Sequence, residues 1–152
     1  MIPAGNQFPG KRPWIYVREL TPLARRAVDR LMPGPVTLVF LASELFSREL
    51  TAGTGKVAIR VPEHAVAAGL ARAFGGPVTA TSANLSGLPG LTSPDDVASA
   101  LGGGIDLILD GGCTPGGPPS TIVDVTSDPP GLLREGNVKK SRIERLLGVP
   151  VS

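Results

Sequence analysis

Short apolar runs rich in β-branched residues alternate with helix-forming segments along this chain, and that alternation limits the possible folds more than any other feature. Residues 36–41, 57–61 and 121–125 have the length and composition of strands. Residues 22–32 and 62–74 repeat apolar side chains at helical spacing. Glycine and proline, at 20 and 16 of 152 residues, separate these segments as turn residues do. The pattern predicts an α/β or α+β fold in which helices flank a mixed sheet.

Weaker patterns predict the remaining elements and the domain organisation. They comprise an edge strand at 14–17, strands at 77–80, 105–109 and 131–136, and helices at 93–101 and 141–147. Thr21-Pro22 predicts an N-cap followed by proline in the first turn, and Ser93 with Asp96 predicts a capping box. We expect an irregular segment over residues 1–20 and one domain over 21–150.

Charge and cysteine content narrow the class of protein. The formal net charge is only +2, and the basic residues are scattered except for the pair Arg25-Arg26 and a C-terminal patch. That patch consists of Lys139, Lys140, Arg142 and Arg145. The single cysteine, Cys113, excludes an intrachain disulfide. Because no apolar run is long enough to span a bilayer, we expect a cytoplasmic protein that does not bind membranes.

Three polar groups follow or begin predicted strands, where ligand sites are common. The loop around Ser82 and Asn84 is either an ordinary turn or a set of neutral donors for phosphate or carboxylate oxygens. Ser120, with Thr121 and Asp124, either makes strand-entry hydrogen bonds or lines a site.

The third group consists of two arginines among apolar neighbours, Arg60 in VAIRVP and Arg134 in LLREG. Two interpretations are open for both arginines: the side chain extends to solvent, or it faces a cleft and binds an anion. His64 has no second metal ligand at suitable spacing, and Cys113 has no evident activating partner, so we expect no bound metal and no cysteine nucleophile.

Six segments together resemble the Sua5/YrdC family of threonylcarbamoyl-AMP synthases in content, order and spacing. They are PGPVTLVF (33–40), KVAIRVPEH (56–64), TSANLSG (81–87), DLILDGG (106–112), STIVDVT (120–126) and LLREG (132–136). The resemblance covers about residues 22–148. It implies a twisted mixed sheet with a concave central cleft.

The resemblance also implies a reaction and a set of site residues. L-Threonine, bicarbonate and ATP, with Mg²⁺, would form threonylcarbamoyl-AMP, which a partner transferase uses to modify adenosine 37 of tRNA. Ser82, Asn84 and Arg134 match residues on the nucleotide side, whereas Arg60 and Ser120 match residues that meet threonine. Lys56 stands where relatives carry a small hydroxyl residue near the nucleotide. No residue is implied to act as a covalent catalyst.

Two family motifs have no counterpart in this sequence, a PTDT-Y-GLG segment and a following Lys-x-Arg. Lys11 and Arg12 are adjacent rather than separated by one residue. The expectation is therefore an N-terminally truncated domain whose sheet edge is covered by residues 14–17 or by a second copy of the chain. Two functions stay open, a synthase with a rebuilt N-terminus and a non-catalytic protein that binds a nucleotide, tRNA or double-stranded RNA.

Overall fold

The computed structural model of the chain describes residues 13–152. These residues divide into two compact units, which we call the sheet unit (residues 13–78 and 119–152) and the loop unit (Thr79–Pro118). The N-terminal residues Lys11 and Arg12, and most of the segment expected to be irregular, lie outside the described residues. Among the helices of the described part, none has both the length and the apolar composition needed to cross a bilayer.

The sheet unit contains a mixed sheet, as the sequence predicted, and this sheet has four strands. Its strands are β1 (Val36–Leu41), β2 (Lys56–Ile59), β3 (Thr121–Asp124) and β4 (Gly131–Arg134), in the order β2-β1-β3-β4. The two central strands, β1 and β3, are parallel, with Val36 opposite Thr121. Both outer strands pair antiparallel with their neighbours, with Ile59 opposite Leu38 and Gly131 opposite Asp124.

Within residues 13–152, four α-helices form close to where the helical periodicity placed them. They are α1 (Pro22–Leu31), α2 (Ala65–Phe74), α3 (Pro94–Leu101) and α4 (Lys140–Leu147). Thr21 caps α1, because its hydroxyl accepts a hydrogen bond from the Ala24 amide at 3.1 Å. Helix α2 was expected to begin at Pro62 but begins three residues later, at Ala65. The His64 side chain forms its N-cap. The predicted capping box of α3 is wrong, because the Ser93 side chain makes no capping hydrogen bond.

The hydrophobic core lies between one face of the sheet and the pair α1 and α4. Ala27, Leu38, Val123 and Ile143 are completely buried there. A hydrogen bond also joins the two helices, because the Arg26 guanidinium in the middle of α1 donates at 2.9 Å to the carbonyl of Leu147, the last residue of α4. This packing leaves the opposite face of the sheet to the polar residues described below.

Three predicted strands are absent from the structure, and β2, β3 and β4 are each shorter than expected. Residues 14–17 fall in a 3-10 helix (Pro13–Tyr16) and a single bridge between Val17 and Ala42. Residues 77–80 and 105–109 form no strand, because no other strand in the described part of the chain hydrogen-bonds to them. Strand β2 ends at Ile59, so Arg60 lies just beyond it.

Candidate ligand-binding face

The candidate site lies on the sheet face opposite α1 and α4, which we call the polar face. Side chains alternate between the faces of a strand, and Val36, Leu38 and Phe40 of β1 belong to the core. Thr37 of β1 therefore points to the other face. By the same alternation Lys56 of β2 and Asp124 of β3 share that face, since Val57 and Val123 pack on the core side. The polar face thus carries hydroxyl and charged groups on three strands.

Arg134, Ser120 and Thr37 form a connected cluster at one end of the polar face. Arg134 donates to the Ser120 carbonyl from Nε at 3.1 Å and from Nη2 at 2.9 Å. The Ser120 hydroxyl lies 2.9 Å from the Thr37 hydroxyl and 3.4 Å from Arg134 Nη2. The structure therefore brings together two predicted site residues, Ser120 and Arg134, although the resemblance assigned them to different substrates.

The backbone under this cluster is held by a buried threonine and a close-packed glycine. The Thr121 hydroxyl donates to the Val138 carbonyl at 2.6 Å and accepts from the amides of Gly136 and Val138 at 3.1 and 2.9 Å. A Cβ atom at Gly136 would clash with the Pro119 carbonyl oxygen and with the Ser120 backbone. Gly136 is therefore required for β4 to lie this close to the segment that presents Ser120.

Arg60 is held beside the same end of the sheet by the turn that precedes β1. Its Nε donates to the Gly34 carbonyl at 2.9 Å, and the Gly34 amide donates in turn to the Val61 carbonyl at 2.9 Å. The next residue of that turn, Pro35, accepts a hydrogen bond from the Thr121 amide at 3.2 Å. Arg60 and Ser120 are therefore attached to the same short segment, and the Arg60 side chain is exposed.

Lys56 lies at the other end of the polar face, four residues along the chain from Arg60. An extended strand rises about 3.3 Å per residue, so the two positions are roughly 13 Å apart. Lys56 Nζ forms an ion pair with Asp124 Oδ2 at 2.7 Å. The other oxygen, Asp124 Oδ1, accepts from the amide and the hydroxyl of Thr126 at 2.8 and 2.6 Å.

These contacts set the charge state of Asp124. Burial raises the pKa of its carboxyl group, but the hydrogen bonds from Lys56 and Thr126 lower it by more together, so the net pKa is below its usual value. Asp124 is therefore a carboxylate at neutral pH, and its charge is matched by that of Lys56. Lys56 is thus a less available cation for a nucleotide than the sequence suggested.

Ser82 and Asn84 belong to the loop unit, where Asn84 organises the loop itself. Its Nδ2 donates to the carbonyls of Leu85 and Leu88 at 2.9 and 3.0 Å. Its Oδ1 is shielded from solvent and has no hydrogen-bond partner among the described residues. Ser82 is exposed. With both Asn84 donors used inside the loop, the Ser82 hydroxyl is the freer of the two groups for an anion, and the assignment of both residues to the nucleotide stays a prediction.

Sequence reasoning missed two contributors to the site, Thr37 and Gly136, and only the first left a signal in the sequence. Thr37 is the one hydroxyl residue in the apolar run 36–41, a position that needs a polar partner once the strand is in a sheet. The strand-entry hydrogen bonds expected of Thr121 are confirmed, but its partner Gly136 could be recognised only from the fold, because the two residues are 15 positions apart. Within residues 13–152 no group of three or more His, Cys, Asp or Glu side chains is placed to hold a metal ion.

Comparison with known proteins gives a consistent result. The family model described as Telomere recombination, which covers Sua5, YciO and YrdC, matches residues 13–136. Threonylcarbamoyl-AMP synthase of Pyrococcus abyssi is 40% identical over 134 residues, which are 88% of this chain and 39% of that protein. The enzyme of the same name from Bacillus subtilis is 42% identical over 126 residues, covering 82% of this chain and 36% of that protein.

Solved structures agree with these sequence matches. The crystal structure of P. abyssi Sua5 complexed with L-threonine superposes with a TM-score of 0.83 at 39% identity, covering 91% of this chain and 41% of that one. Escherichia coli YciO superposes with a TM-score of 0.73 at 28% identity, covering 81% and 60% of the two chains. The chain spans about two fifths of the length of the two curated relatives above. From the family match and the shared fold, this chain belongs to the Sua5/YrdC family.

Proposed function

We propose that this chain acts in the synthesis of threonylcarbamoyl-AMP from L-threonine, bicarbonate and ATP, the product that supplies the t6A modification of tRNA. The observation that carries the proposal is the cluster of Arg134, Ser120 and Thr37 beside Arg60, at one end of the polar face. Support comes from the 39% identity to a Sua5 protein whose structure was solved with L-threonine.

The chemistry of the cluster suits two anionic substrates side by side. Arg60 uses Nε for the Gly34 carbonyl, which fixes the plane of an exposed guanidinium suited to a carboxylate such as that of threonine. The Ser120 hydroxyl can serve the same substrate, since hydroxyl groups both donate and accept. Arg134 faces the other side of Ser120 and would meet the nucleotide phosphates. The shared residue Ser120 would then lie between the two substrates.

The proposed reaction needs positioning and charge stabilisation rather than a covalent catalyst. The threonine amine and bicarbonate give a carbamate with loss of water. A carbamate oxygen then forms a bond to the α-phosphorus of ATP, and the bond from that phosphorus to the bridging oxygen of pyrophosphate breaks. Arginine donors near the phosphates would stabilise the charge that accumulates on the oxygens. Mg²⁺ would enter with the triphosphate as part of the substrate.

The remaining family assignments are part of the same proposal. Ser82 would contact the phosphates directly. Asn84 would do so only after releasing the Leu85 and Leu88 carbonyls, and Lys56 only after leaving Asp124. A tRNA threonylcarbamoyltransferase would take the product, and the cytoplasm would be the site of the reaction. A homodimer would supply a cover for the sheet edge formed by β2, which ends the strand order.

One observation favours a second function, that of a nucleotide- or RNA-binding protein without catalysis. Each of the three cations assigned above to the polar face already has a protein partner: Asp124 for Lys56, the Gly34 carbonyl for Arg60 and the Ser120 carbonyl for Arg134. Cations held in this way can bind an anion with their remaining N–H groups, but fewer donors are left for the charge that develops during adenylate transfer.

Pyrophosphate release from ATP tests the proposal, with mass spectrometry to identify the adenylate. Release that requires both L-threonine and bicarbonate is the expected result. Arg134→Gln should then weaken ATP binding about 10- to 100-fold, the loss of a charge-assisted hydrogen bond. Arg145→Gln is the control, because it removes the same charge from an exposed position on α4. ATP binding without release of pyrophosphate would favour the second function. An unchanged ATP affinity in the Arg134 variant would contradict the assignment of Arg134 to the nucleotide phosphates.

A further inference from the structure

A second candidate site lies on the helix side of the sheet unit, and the turn of Gly34 and Pro35 separates it from Arg60 and Ser120. It is a pocket of about 460 Å³ where the end of α1, the turn before β1 and the start of α4 meet. Leu31, Val36 and Leu146 form its apolar floor, and Arg30, Lys139 and Arg142 bring three cationic side chains to its walls. Val36 and Leu31 belong to the core between the sheet and the helices, so this pocket faces the side opposite Ser120 and Thr37.

The charge of the pocket is uncompensated at two of its three cations. No aspartate or glutamate is among the described residues that line it. In residues 13–152 neither the Arg30 nor the Arg142 side chain has an ion pair or a hydrogen bond, and both residues are exposed. Lys139 differs, because its ammonium lies 3.0 Å from Glu135 Oε1. The two arginines therefore supply most of the positive charge available to a ligand.

These features match the requirements of one class of ligand. Two guanidinium groups with free donors can bind an oxyanion through paired hydrogen bonds, and phosphate geometry suits arginine in particular. An apolar floor strengthens such contacts because it excludes water from one side. The pocket volume exceeds what a single phosphate group needs, so the rest of a larger compound would fit beside it.

We propose that this pocket binds a phosphate group through Arg30 and Arg142. The group is carried either by an RNA backbone or by a free compound such as pyrophosphate, which offer the same oxygens. The site is separate from the polar face and does not rest on the proposed synthase function. Arg142 of the C-terminal basic patch thereby gains a specific role, together with a partner on α1, Arg30, that the sequence did not group with it.

Paired double variants test the site in the full chain. Arg30→Gln with Arg142→Gln removes both cations of the pocket, and Arg25→Gln with Arg145→Gln removes the same charge from exposed positions on the same helices that do not line it. Two probes are used, inorganic pyrophosphate followed by backbone amide shifts in ¹⁵N-labelled protein, and a fluorescent RNA hairpin followed by anisotropy. The amide spectra also report whether each variant is folded.

With the parent chain, pyrophosphate, RNA or both should shift the amides of residues 30 and 138–142. For whichever probe binds the parent chain, the Arg30/Arg142 double variant should raise the dissociation constant by about tenfold or more. The Arg25/Arg145 double variant should raise it by less than about twofold. Binding of pyrophosphate alone would identify a small phosphate compound, and binding of RNA alone would identify its backbone. Equal weakening in the two double variants, or shifts confined to other residues, would overturn the proposal.

Discussion

The sheet unit and the loop unit have similar apolar segments but differ in how much they bury. In the described part of the chain, all of the buried apolar residues lie in the sheet unit, and none of residues 79–118 is buried. Helix α3 of the loop unit buries no residue, whereas α1 of the sheet unit buries four. Leu107 is 74% exposed, and Leu38 in β1 is fully buried.

The contrast shows what a strand-like sequence needs in order to become a strand. Residues 105–109 and 121–125 both have the composition of a strand, yet only the second segment is paired. Strand β3 lies between β1 and β4, which satisfies its backbone amides and carbonyls on both sides. Segment 105–109 has no paired neighbour in the described part of the chain. An extended conformation there would therefore form no strand-to-strand hydrogen bonds with its amides and carbonyls. Pairing within the sheet, more than local composition, separates the two units.

The largest expected effect comes from truncating equivalent leucines in the two units. Leu38→Ala should lower the free energy of unfolding by about 2–5 kcal/mol, because it removes buried methyl groups and leaves a cavity. Leu107→Ala should change it by less than about 0.5 kcal/mol, since the side chain is already exposed. Urea denaturation of both variants measures the difference. Similar losses in the two variants would show that residues 79–118 contribute to a shared core.

A slightly smaller effect is expected from the hydroxyl that holds β4 to the segment before β3. Thr121→Val keeps the shape of the side chain but leaves the amides of Gly136 and Val138 and the Val138 carbonyl without this partner. The free energy of unfolding, measured by urea denaturation, should fall by about 2–4 kcal/mol, because buried polar groups are left without hydrogen bonds. Thr79→Val, at an exposed position of the loop unit, is the matched control. A loss no larger than that of the control would mean that water replaces the hydroxyl.

The smallest expected effect concerns the ion pair at the far end of the polar face. Because the folded pKa of Asp124 is lowered, its contribution to stability is present above the unfolded pKa of about 3.9 and is lost as the pH falls through the lower folded value. Asp124→Asn should lower the free energy of unfolding by about 1 kcal/mol at pH 7, a small loss because Lys56 is partly exposed. The variant should also lose less stability than the parent chain as the pH falls, so the acid limb of its stability profile should be flatter. Thermal unfolding between pH 2 and pH 7 measures both. An unchanged acid limb would assign that limb to other carboxylates.

Sequence patterns predicted the sheet unit well where local and tertiary signals agree. Strand β1 has the predicted bounds, and α1 begins at the predicted proline behind its threonine cap. The predicted strand at 14–17 failed because apolar alternation does not distinguish a strand from a short 3-10 turn that makes one bridge, here from Val17 to Ala42. The start of α2 was misplaced because a histidine cap has a weaker sequence signal than a proline.

For the candidate site, the sequence identified individual residues but not their partners. Arg134 and Ser120 were both predicted site residues, and their hydrogen bonds depend on the pairing of β3 with β4, which includes an irregularity between Ile122 and Val123. Lys56 was grouped with Arg134, but the antiparallel register of β1 and β2 places it near Asp124 instead. Long-range register of this kind is not encoded in any local pattern.

Amide shift mapping with L-threonine and ATP is the decisive experiment for the proposed site, because it locates each ligand on the fold. We expect L-threonine to shift the amides of Thr37, Arg60 and Ser120, and ATP to shift those of Ser120 and Arg134. Arg60→Gln should abolish the threonine shifts while leaving the core amides of β1 and β3 in place. Shifts from either ligand that avoid this end of the polar face would contradict the account.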